Sequence, residues 1–254
     1  MDAVLVTGGS GQLGRRVIGE LLEQGRAVQA ISRRPGPQAA GLTWVTGDLN
    51  SAATLQRGLD GVSRVVHLAT QPLRPGKDLQ MTSALLGAVQ DRHIEHFVYM
   101  SISGLERMQG APYYREKLEI ERRLRTSGLR LTIQRSTQFH KFVADLLGKL
   151  TLGPVTLVPT GVTLQPVEVS AVARCLAQVV QGAPAGQRRD LSGPAPEAIE
   201  LLARQWHRHR ARTGRVASAP IPLPLFRAWQ HSAAVPEEAE PVGRPWIRWL
   251  QETA

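Results

Sequence analysis

The sequence predicts an α/β fold: a doubly wound parallel sheet with helices on both faces, followed by a small C-terminal α+β subdomain. Two observations lead to this prediction. Short apolar runs alternate with helical patterns from residue 3 to about residue 136, as is typical of parallel sheets covered by helices. After residue 150, proline and glycine punctuate short extended pieces. We therefore expect one domain at 1–150 and a smaller region at 151–254 that partly completes it.

The composition is that of an ordinary globular protein with an excess of basic residues. Its formal net charge of +10 favours acidic partners. The arginines are dispersed, however, and three tyrosines and four phenylalanines offer little stacking surface, which argues against a nucleic-acid partner. No apolar run reaches the roughly 18 residues of a membrane-spanning helix, and no metal-ligand spacing is present. The single cysteine excludes an internal disulfide, which is typical of a reducing compartment. From these observations we expect a cytoplasmic protein with no membrane segment and no metal.

The first apolar run, 3–7, leads into a glycine-rich turn and then into a helical pattern. Glycines at positions 8, 11 and 14 have the spacing G-x-x-G-x-x-G. In dinucleotide-binding folds such glycines permit the tight turn, the approach of the pyrophosphate and the packing of helix on strand. The N–H groups that begin the helix attract phosphate. We therefore predict a Rossmann-type domain, with a phosphate site formed by Gly8, Ser10, Gly11, Gln12, Leu13 and Gly14.

The second predicted strand ends in basic residues. Ser32, Arg33 and Arg34 stand where an NAD-binding fold usually has a carboxylate that holds the ribose 2′-hydroxyl. A carboxylate would repel a 2′-phosphate, whereas guanidinium groups offer it paired donors and positive charge. The two arginines therefore favour NADP(H) over NAD(H) as the cofactor. Solvated loop arginines are the alternative interpretation.

The third and fourth predicted strands, 44–46 and 65–69, also end in residues that we assign to the cofactor. Asp48, next to Leu49, could accept a hydrogen bond from the adenine amino group, or it could form the turn before the next helix. His67 lies within an otherwise apolar strand, which favours a core position. The end of the fourth strand is predicted to line the ribose and nicotinamide with Leu68, Ala69 and Thr70.

A tyrosine and a lysine follow the fifth predicted strand. Tyr113 and Lys117 are four residues apart in a stretch that opens a helix at Pro112, so they share one helix face. An ammonium beside a phenol favours the phenolate, and the tyrosine can then exchange a proton with a substrate oxygen during hydride transfer. Lys117 can also bind the nicotinamide ribose. Tyr114 is an alternative to Tyr113, and a surface helix in which Lys117 pairs with Glu121 would give the same spacing.

Two serines and a later segment complete the candidate site. Ser101 or Ser103, at the end of the fifth strand, could hold the substrate oxygen. Thr137 and Phe139 follow the sixth predicted strand, at the edge where α/β folds bind ligands. Phe139 could pack on the nicotinamide, although Thr137 could equally cap the next helix. Further along the chain, a helix is predicted over 196–212.

Together these motifs resemble those of atypical short-chain dehydrogenase/reductases, in particular the bacterial NmrA-like NAD(P)-binding proteins. The residues that carry the resemblance are TGGSGQLGRR at 7–16, SRR at 32–34, GDL at 47–49, PYYREKLEIE at 112–121 and QRSTQFH at 134–140.

The resemblance implies a Rossmann domain that binds NADP(H) and a C-terminal region that takes a small-molecule substrate, such as a carbonyl, quinone or enone. It also implies an alternative, because some members lack the tyrosine and act as non-catalytic NAD(P)-sensing regulators. Since Tyr113 and Lys117 are present, we predict an NADP(H)-dependent oxidoreductase that is a monomer or a homodimer.

Overall fold

The computed structural model describes residues 3–210 and 214–252. The strands are β1 (Ala3–Thr7), β2 (Val28–Ser32), β3 (Leu42–Thr46), β4 (Val62–His67), β5 (His96–Ile102), β6 (Leu131–Ser136), β7 (Thr151–Leu152), β8 (Val155–Pro159), β9 (Thr163–Leu164), β10 (Gly186–Gln187), β11 (Asp190–Ser192), β12 (Glu197–Ala198), β13 (Arg215–Ala219) and β14 (Ala239–Pro241). The helices are α1 (Gln12–Glu23), α2 (Ala52–Gly58), α3 (Lys77–Val89), α4 (Pro112–Arg125), α5 (His140–Lys149), α6 (Val169–Gln181), α7 (Ile199–His209), α8 (Pro224–Gln230) and α9 (Trp246–Glu252).

The chain forms two compact units, and it passes between them several times. The first unit takes the described residues of Met1–Ser101, Arg115–Gln134 and Val172–Arg188. The second takes those of Ile102–Tyr114, Arg135–Ala171 and Arg189–Ala254. Each unit therefore contains segments that are distant in the sequence.

A parallel sheet forms the centre of the first unit. Its strands lie in the order β6-β5-β4-β1-β2-β3, and β10 pairs in parallel with β6. The chain leaves β1 for β2 and β3 on one side, and then returns to β4 on the other side of β1. The crevice between the ends of β1 and β4 is thus the switch point at which open α/β sheets bind ligands. The predicted α/β fold with a Rossmann-type parallel sheet is confirmed.

The core of the first unit is made by the sheet and the helices that pack on it. Leu5, Val65 and Phe97 in three neighbouring strands have no exposed surface. Leu85 of α3 and Ile120 of α4 are also fully buried in the same apolar cluster. Each such side chain contributes about 1.5–3 kcal/mol on burial, so this cluster holds the sheet and the helices packed on it together.

The second unit contains short strands and most of the later helices. β8 pairs in parallel with β13 and antiparallel with β7, while β11 pairs in parallel with β14. β12 pairs antiparallel with β9, which delays the start of α7 to Ile199 instead of the predicted residue 196. The helix ends at His209, and Arg212, where we predicted its end, lies outside the described residues.

A buried carboxylate joins the start of α6 to the segment before α9 in this second unit. Glu168 accepts hydrogen bonds from the Arg244 backbone N–H at 2.9 Å and from Arg244 Nε at 3.1 Å. Ser170 Oγ donates to the same carboxylate at 2.5 Å. The C-terminal segment is therefore fixed by charge-assisted hydrogen bonds as well as by packing.

Over the ranges 3–210 and 214–252, the structure contains no helix with the length and apolar character that a bilayer span requires.

Candidate cofactor and active site

The turn between β1 and α1 and the first turn of α1 each contain one position with room for glycine alone. Gly8 has a φ of +69°, and a Cβ atom there would lie 2.9 Å from Cα of Ala69. A Cβ atom on Gly14 would overlap the carbonyl oxygen of Gly8. The backbone therefore forms a close cradle with no side chain in it, as a bound pyrophosphate requires.

The N-terminus of α1 opens onto this cradle. Gly11 is the N-cap, no side chain caps the helix, and its first turn carries no acidic residue. The first N–H groups of the helix and the positive end of its dipole are thus presented to an anion. Together with the glycine cradle, this arrangement fits the pyrophosphate of a dinucleotide.

A cleft of the first unit runs from the cradle along the ends of β2, β3 and β4. It is lined by the turn, by the two loops that carry polar residues after β2 and β3, and by the segment that follows β4. Its lining residues are Gly8, Ser10, Gly11, Ile31, Ser32, Arg33, Gly47, Asp48, Leu49, Leu68, Ala69, Thr70, Gln71 and Met81. Most of the residues predicted to bind the cofactor are therefore brought together in one place.

Other predicted cofactor residues do not line this cleft. Gln12 and Leu13 lie in α1 beside it, and Arg34 is exposed in the loop after β2. Thr137 and Phe139 belong to the second unit, where Thr137 Oγ1 donates to the carbonyl oxygen of Gln165 at 2.6 Å. The cofactor contacts of these five residues stay predictions.

Asp48 has a structural role in addition to its place in the cleft. Its Oδ1 accepts hydrogen bonds from the backbone N–H and from Nδ2 of Asn50, both at 2.8 Å. The carboxylate thus forms the turn after β3, one of the two roles that the sequence left open. Its side chain is exposed, and the assignment to the adenine stays a prediction.

Ser32, which we had not assigned to cofactor binding, connects β2 to the glycine turn. Its hydroxyl donates to Ser10 Oγ at 2.6 Å and accepts from the backbone N–H of Arg34 at 3.3 Å. These bonds fix the backbone from which Arg33 reaches the cleft. The sequence offered one signal for this role, a small hydroxyl residue at the strand end directly before the arginines.

Lys117 is buried in the first unit, where a carboxylate and a phenol lie beside its ammonium group. Its Nζ lies 3.1 Å from Asp78 Oδ2 and donates to Tyr99 Oη at 3.1 Å. Glu121, the partner that a surface helix would supply, instead accepts from Arg125 at 2.7 Å. α4 therefore turns Lys117 towards the interior of the unit.

Asp78 joins this lysine to the wall of the cleft. Its carboxylate accepts hydrogen bonds from Thr70 Oγ1 and from the Gln71 backbone N–H, both at 2.6 Å. Thr70 and Gln71 both line the cleft. Asp78 was not among our predicted site residues, because an acidic residue in the first turn of a helix is common for reasons of the helix dipole alone.

His67 fills a core position beneath the same wall. Its Nδ1 lies 2.7 Å from Thr7 Oγ1 and its Nε2 lies 3.0 Å from Thr82 Oγ1. Burial lowers its pKa to about 3, and the charge of Lys117 acts in the same direction. The imidazole is therefore neutral at physiological pH, and it joins the end of β1 to α3 by hydrogen bonds.

The tyrosines and serines of the candidate active site lie at the start of α4 and at the end of β5. Tyr113 is half-buried in the second unit, with its ring 5.4 Å from that of Tyr114 in an edge-on arrangement. Burial raises the pKa of Tyr114. The hydroxyls of Ser101 and Ser103 are buried and have no hydrogen-bond partner among the described residues. The catalytic roles of these residues stay predictions.

Comparison with known proteins gives relatives of two kinds. The chain is 27% identical over 271 residues to a (4-alkanoyl-5-oxo-2,5-dihydrofuran-3-yl)methyl phosphate reductase of Streptomyces griseus, covering 95% of this chain and 93% of that protein. It is 31% identical over 140 residues to a photosystem II assembly factor of Cyanophora paradoxa. That match covers 52% of this chain and only 44% of the relative, so this chain spans less than half of the relative's length.

A solved structure shares the fold. An NADPH-dependent quinone oxidoreductase of Escherichia coli, crystallised with NADPH, superimposes with a TM-score of 0.84 at 16% sequence identity. The superposition covers 98% of this chain and 99% of that one. At this identity the similarity shows the fold alone.

The family model described as NAD(P)H-binding matches residues 8–182. This range begins at the first glycine of the cradle and includes every residue that lines the cleft. The resemblance to NAD(P)-binding proteins inferred from the sequence motifs is confirmed: the chain belongs to the NAD(P)H-binding family.

Proposed function

We propose that the protein is an NADP(H)-dependent oxidoreductase that acts on a small carbonyl, quinone or enone-type substrate. The observation that carries the proposal is the position of Lys117, which is buried beside the wall of the cofactor cleft and lies four residues from Tyr113 on α4. A nicotinamide cofactor supplies or accepts a hydride. The chain must then supply a proton donor and a means of orienting the substrate oxygen.

Tyr113 is the proposed donor and acceptor of the proton. A phenol can protonate an oxygen that gains negative charge as hydride arrives, and can take the proton back in the reverse direction. Lys117, held by Asp78 and Tyr99, is the proposed ligand of the nicotinamide ribose. The hydroxyls of Ser101 and Ser103, which have no hydrogen-bond partner within 3–210 and 214–252, are the proposed donors to the substrate oxygen. A buried hydroxyl without a partner is costly, so a ligand that accepts its hydrogen bond is favoured.

The relatives support a reductase in general terms. The Streptomyces protein that matches this chain over nearly its whole length is named a reductase, and the Escherichia coli protein of similar fold is named a quinone oxidoreductase. These names suggest carbonyl, enone and quinone compounds as the first substrates to try.

The acid–base role is tested by Tyr113→Phe, with Tyr114→Phe as the matched control. We expect Tyr113→Phe to lower kcat for NADPH oxidation about 100-fold or more on a panel of quinones and aldehydes. The dissociation constant of NADPH should not change, because the phenol hydroxyl is not assigned to cofactor binding. Unchanged turnover in Tyr113→Phe would exclude Tyr113 as the proton donor. If only Tyr114→Phe loses turnover, the proton donor is Tyr114.

The cofactor preference is tested by Arg33→Ala. Loss of a charge-assisted contact to the 2′-phosphate should weaken NADPH binding about tenfold or more and leave NADH binding within about twofold. Arg208→Ala is the control, because Arg208 is exposed on α7 and does not line the cleft. Cofactor fluorescence titration measures all four constants, and equal losses for NADPH and NADH would contradict the assignment of Arg33.

A non-catalytic NAD(P)-sensing role is the second candidate. The match to the photosystem II assembly factor, a protein named for assembly and not for catalysis, favours it. A wild-type protein that binds NADPH but turns over no acceptor in the panel would support this role. Turnover that depends on Tyr113 would exclude it.

A further inference from the structure

The loop that carries the two arginines is anchored to the sheet by one tryptophan. Trp44 lies in β3, and its indole Nε1–H donates to the carbonyl oxygen of Pro37 at 3.0 Å. Pro37 belongs to the segment between β2 and β3, which has neither helix nor strand from residue 33 to residue 41. The hydrogen bond thus ties the middle of an irregular loop to a regular element.

The same ring packs against the loop at Gly36. A Cβ atom on Gly36 would lie 2.6 Å from Cζ2 of Trp44 and 3.1 Å from its Cη2. The backbone of the loop therefore rests directly on the benzo edge of the indole, with no space for a side chain between them. Two prolines flank this glycine, and each of them fixes its own φ, which limits how far the loop can adjust.

The same six-membered ring also faces the glycine turn. A Cβ atom on Gly9, next to Gly8 in the glycine turn, would lie 3.1 Å from Cζ3 of Trp44. One rigid side chain therefore contacts both the turn proposed to bind the pyrophosphate and the loop proposed to bind the 2′-phosphate. Because an indole has few rotatable bonds, it fixes the spacing between these two backbone segments.

We propose that Trp44 is a positioning residue for cofactor discrimination, which holds the 33–37 loop so that Arg33 lies in the cleft at the place of the 2′-phosphate. This inference rests on the proposed preference for NADP(H), and it adds a determinant outside the Ser32–Arg34 stretch. Trp44 does not line the cleft; it acts through the position of Arg33. Its loss should therefore affect a cofactor with a 2′-phosphate and spare one without it.

Two variants test the inference from the two sides of the contact. Trp44→Phe keeps an aromatic ring but removes the Nε1–H donor, and Gly36→Ala places a methyl group where the ring now lies. Each should weaken NADPH binding about fivefold, the order of one net hydrogen bond, and leave NADH binding within about twofold. Gly87→Ala is the control, since Gly87 is exposed in α3 with open space around its Cα, and it should leave both constants unchanged.

Fluorescence titration with NADPH and NADH gives the readout, and thermal unfolding shows that each variant is folded. The inference is supported if the dissociation constant of NADPH rises relative to that of NADH in both variants. A purely structural defect would weaken the binding of both cofactors alike. The inference is overturned if the variants bind NADPH and NADH with equal losses of affinity, or if their affinity for NADPH does not change. If Arg33→Ala shifts the ratio and Trp44→Phe does not, the role of Trp44 alone is lost; if neither shifts it, the proposed preference for NADP(H) fails and the inference fails with it.

Discussion

A buried ion pair is the most costly single feature of the candidate site. The side chains of Asp78 and Lys117 are 2% and 5% exposed. Removing two charges from water costs several kcal/mol per ion, and only close geometry and further hydrogen bonds offset this cost. Here Thr70 and Gln71 donate to the carboxylate, and Tyr99 accepts from the ammonium. Removal of either charge would leave the other uncompensated in the interior.

We expect Asp78→Asn to lower the free energy of unfolding by about 3 kcal/mol, the lower end of the range for a broken buried pair. Urea denaturation at pH 7 measures the change. Asp145→Asn is the matched control, because Lys141 and Asp145 form a pair in which both side chains are more than half exposed. Removal of that pair should cost no more than about 0.5 kcal/mol, and similar losses in the two variants would contradict the importance of the buried pair.

At the scale of elements, the junction between α6 and the C-terminal segment depends on Glu168. Burial raises the pKa of this carboxyl, but hydrogen bonds from Arg244 and Ser170 outweigh the burial and lower the pKa from 4.5 to about 2. A carboxyl whose pKa is lower in the folded chain than in the unfolded chain stabilises the fold above the higher of the two values. The contribution is then lost as the pH falls from about 4.5 towards 2.

Glu168→Gln should therefore destabilise the protein by about 2 kcal/mol at pH 7. The difference between the variant and the wild type should shrink as the pH falls through this range. Thermal unfolding of both proteins at a series of pH values gives the comparison. Glu237→Gln, a change of an exposed carboxylate, is the control. A difference that stays constant from pH 7 to pH 3 would show that Glu168 stabilises the junction by packing and not by its charge.

Helices and strands whose apolar residues recur regularly were predictable from the sequence, but the residues at which they end were harder to predict. α4 begins at Pro112, as predicted. The fourth strand ends at His67 instead of Ala69, because the backbone N–H groups of Leu68 and Ala69 donate to Thr7 Oγ1 and not to a neighbouring strand. The apolar pattern shows which side chains are buried. It cannot show that a side-chain oxygen, here Thr7 Oγ1, accepts the backbone hydrogen bonds that a neighbouring strand would otherwise accept.

The candidate site was predictable where a motif fixes the local backbone. Gly8 and Arg33, for example, lie in short stretches whose residue types alone indicate a phosphate site. Asp78 and Trp44 lie outside such stretches, and their contacts join segments that only the fold brings together. A first-turn acid and a half-buried aromatic residue in a strand are each common, so their residue types alone could not identify these roles.

At the scale of the whole molecule, cofactor binding should add measurably to the free energy of unfolding. A ligand that binds only the folded state at about 100 times its dissociation constant adds about 2.7 kcal/mol to the free energy of unfolding. We expect NADPH to give this increase, and NADH at the same concentration to give a smaller one, because the 2′-phosphate adds a contact with Arg33. Urea denaturation with each cofactor measures both values, and equal increases would contradict the proposed preference.

The discontinuous first unit also constrains the order in which the protein can fold during synthesis. Gly186 and Gln187 pair with Thr132 and Ile133 of β6, and Arg64 donates to the carbonyl oxygen of Val180 at 2.7 Å. The ribosome delivers chains from the N-terminus, and domains generally fold as units. The glycine cradle is therefore synthesised before residues 172–188, and its unit is complete only when residue 188 has emerged. Until then one edge of β6 is open to pairing with other chains.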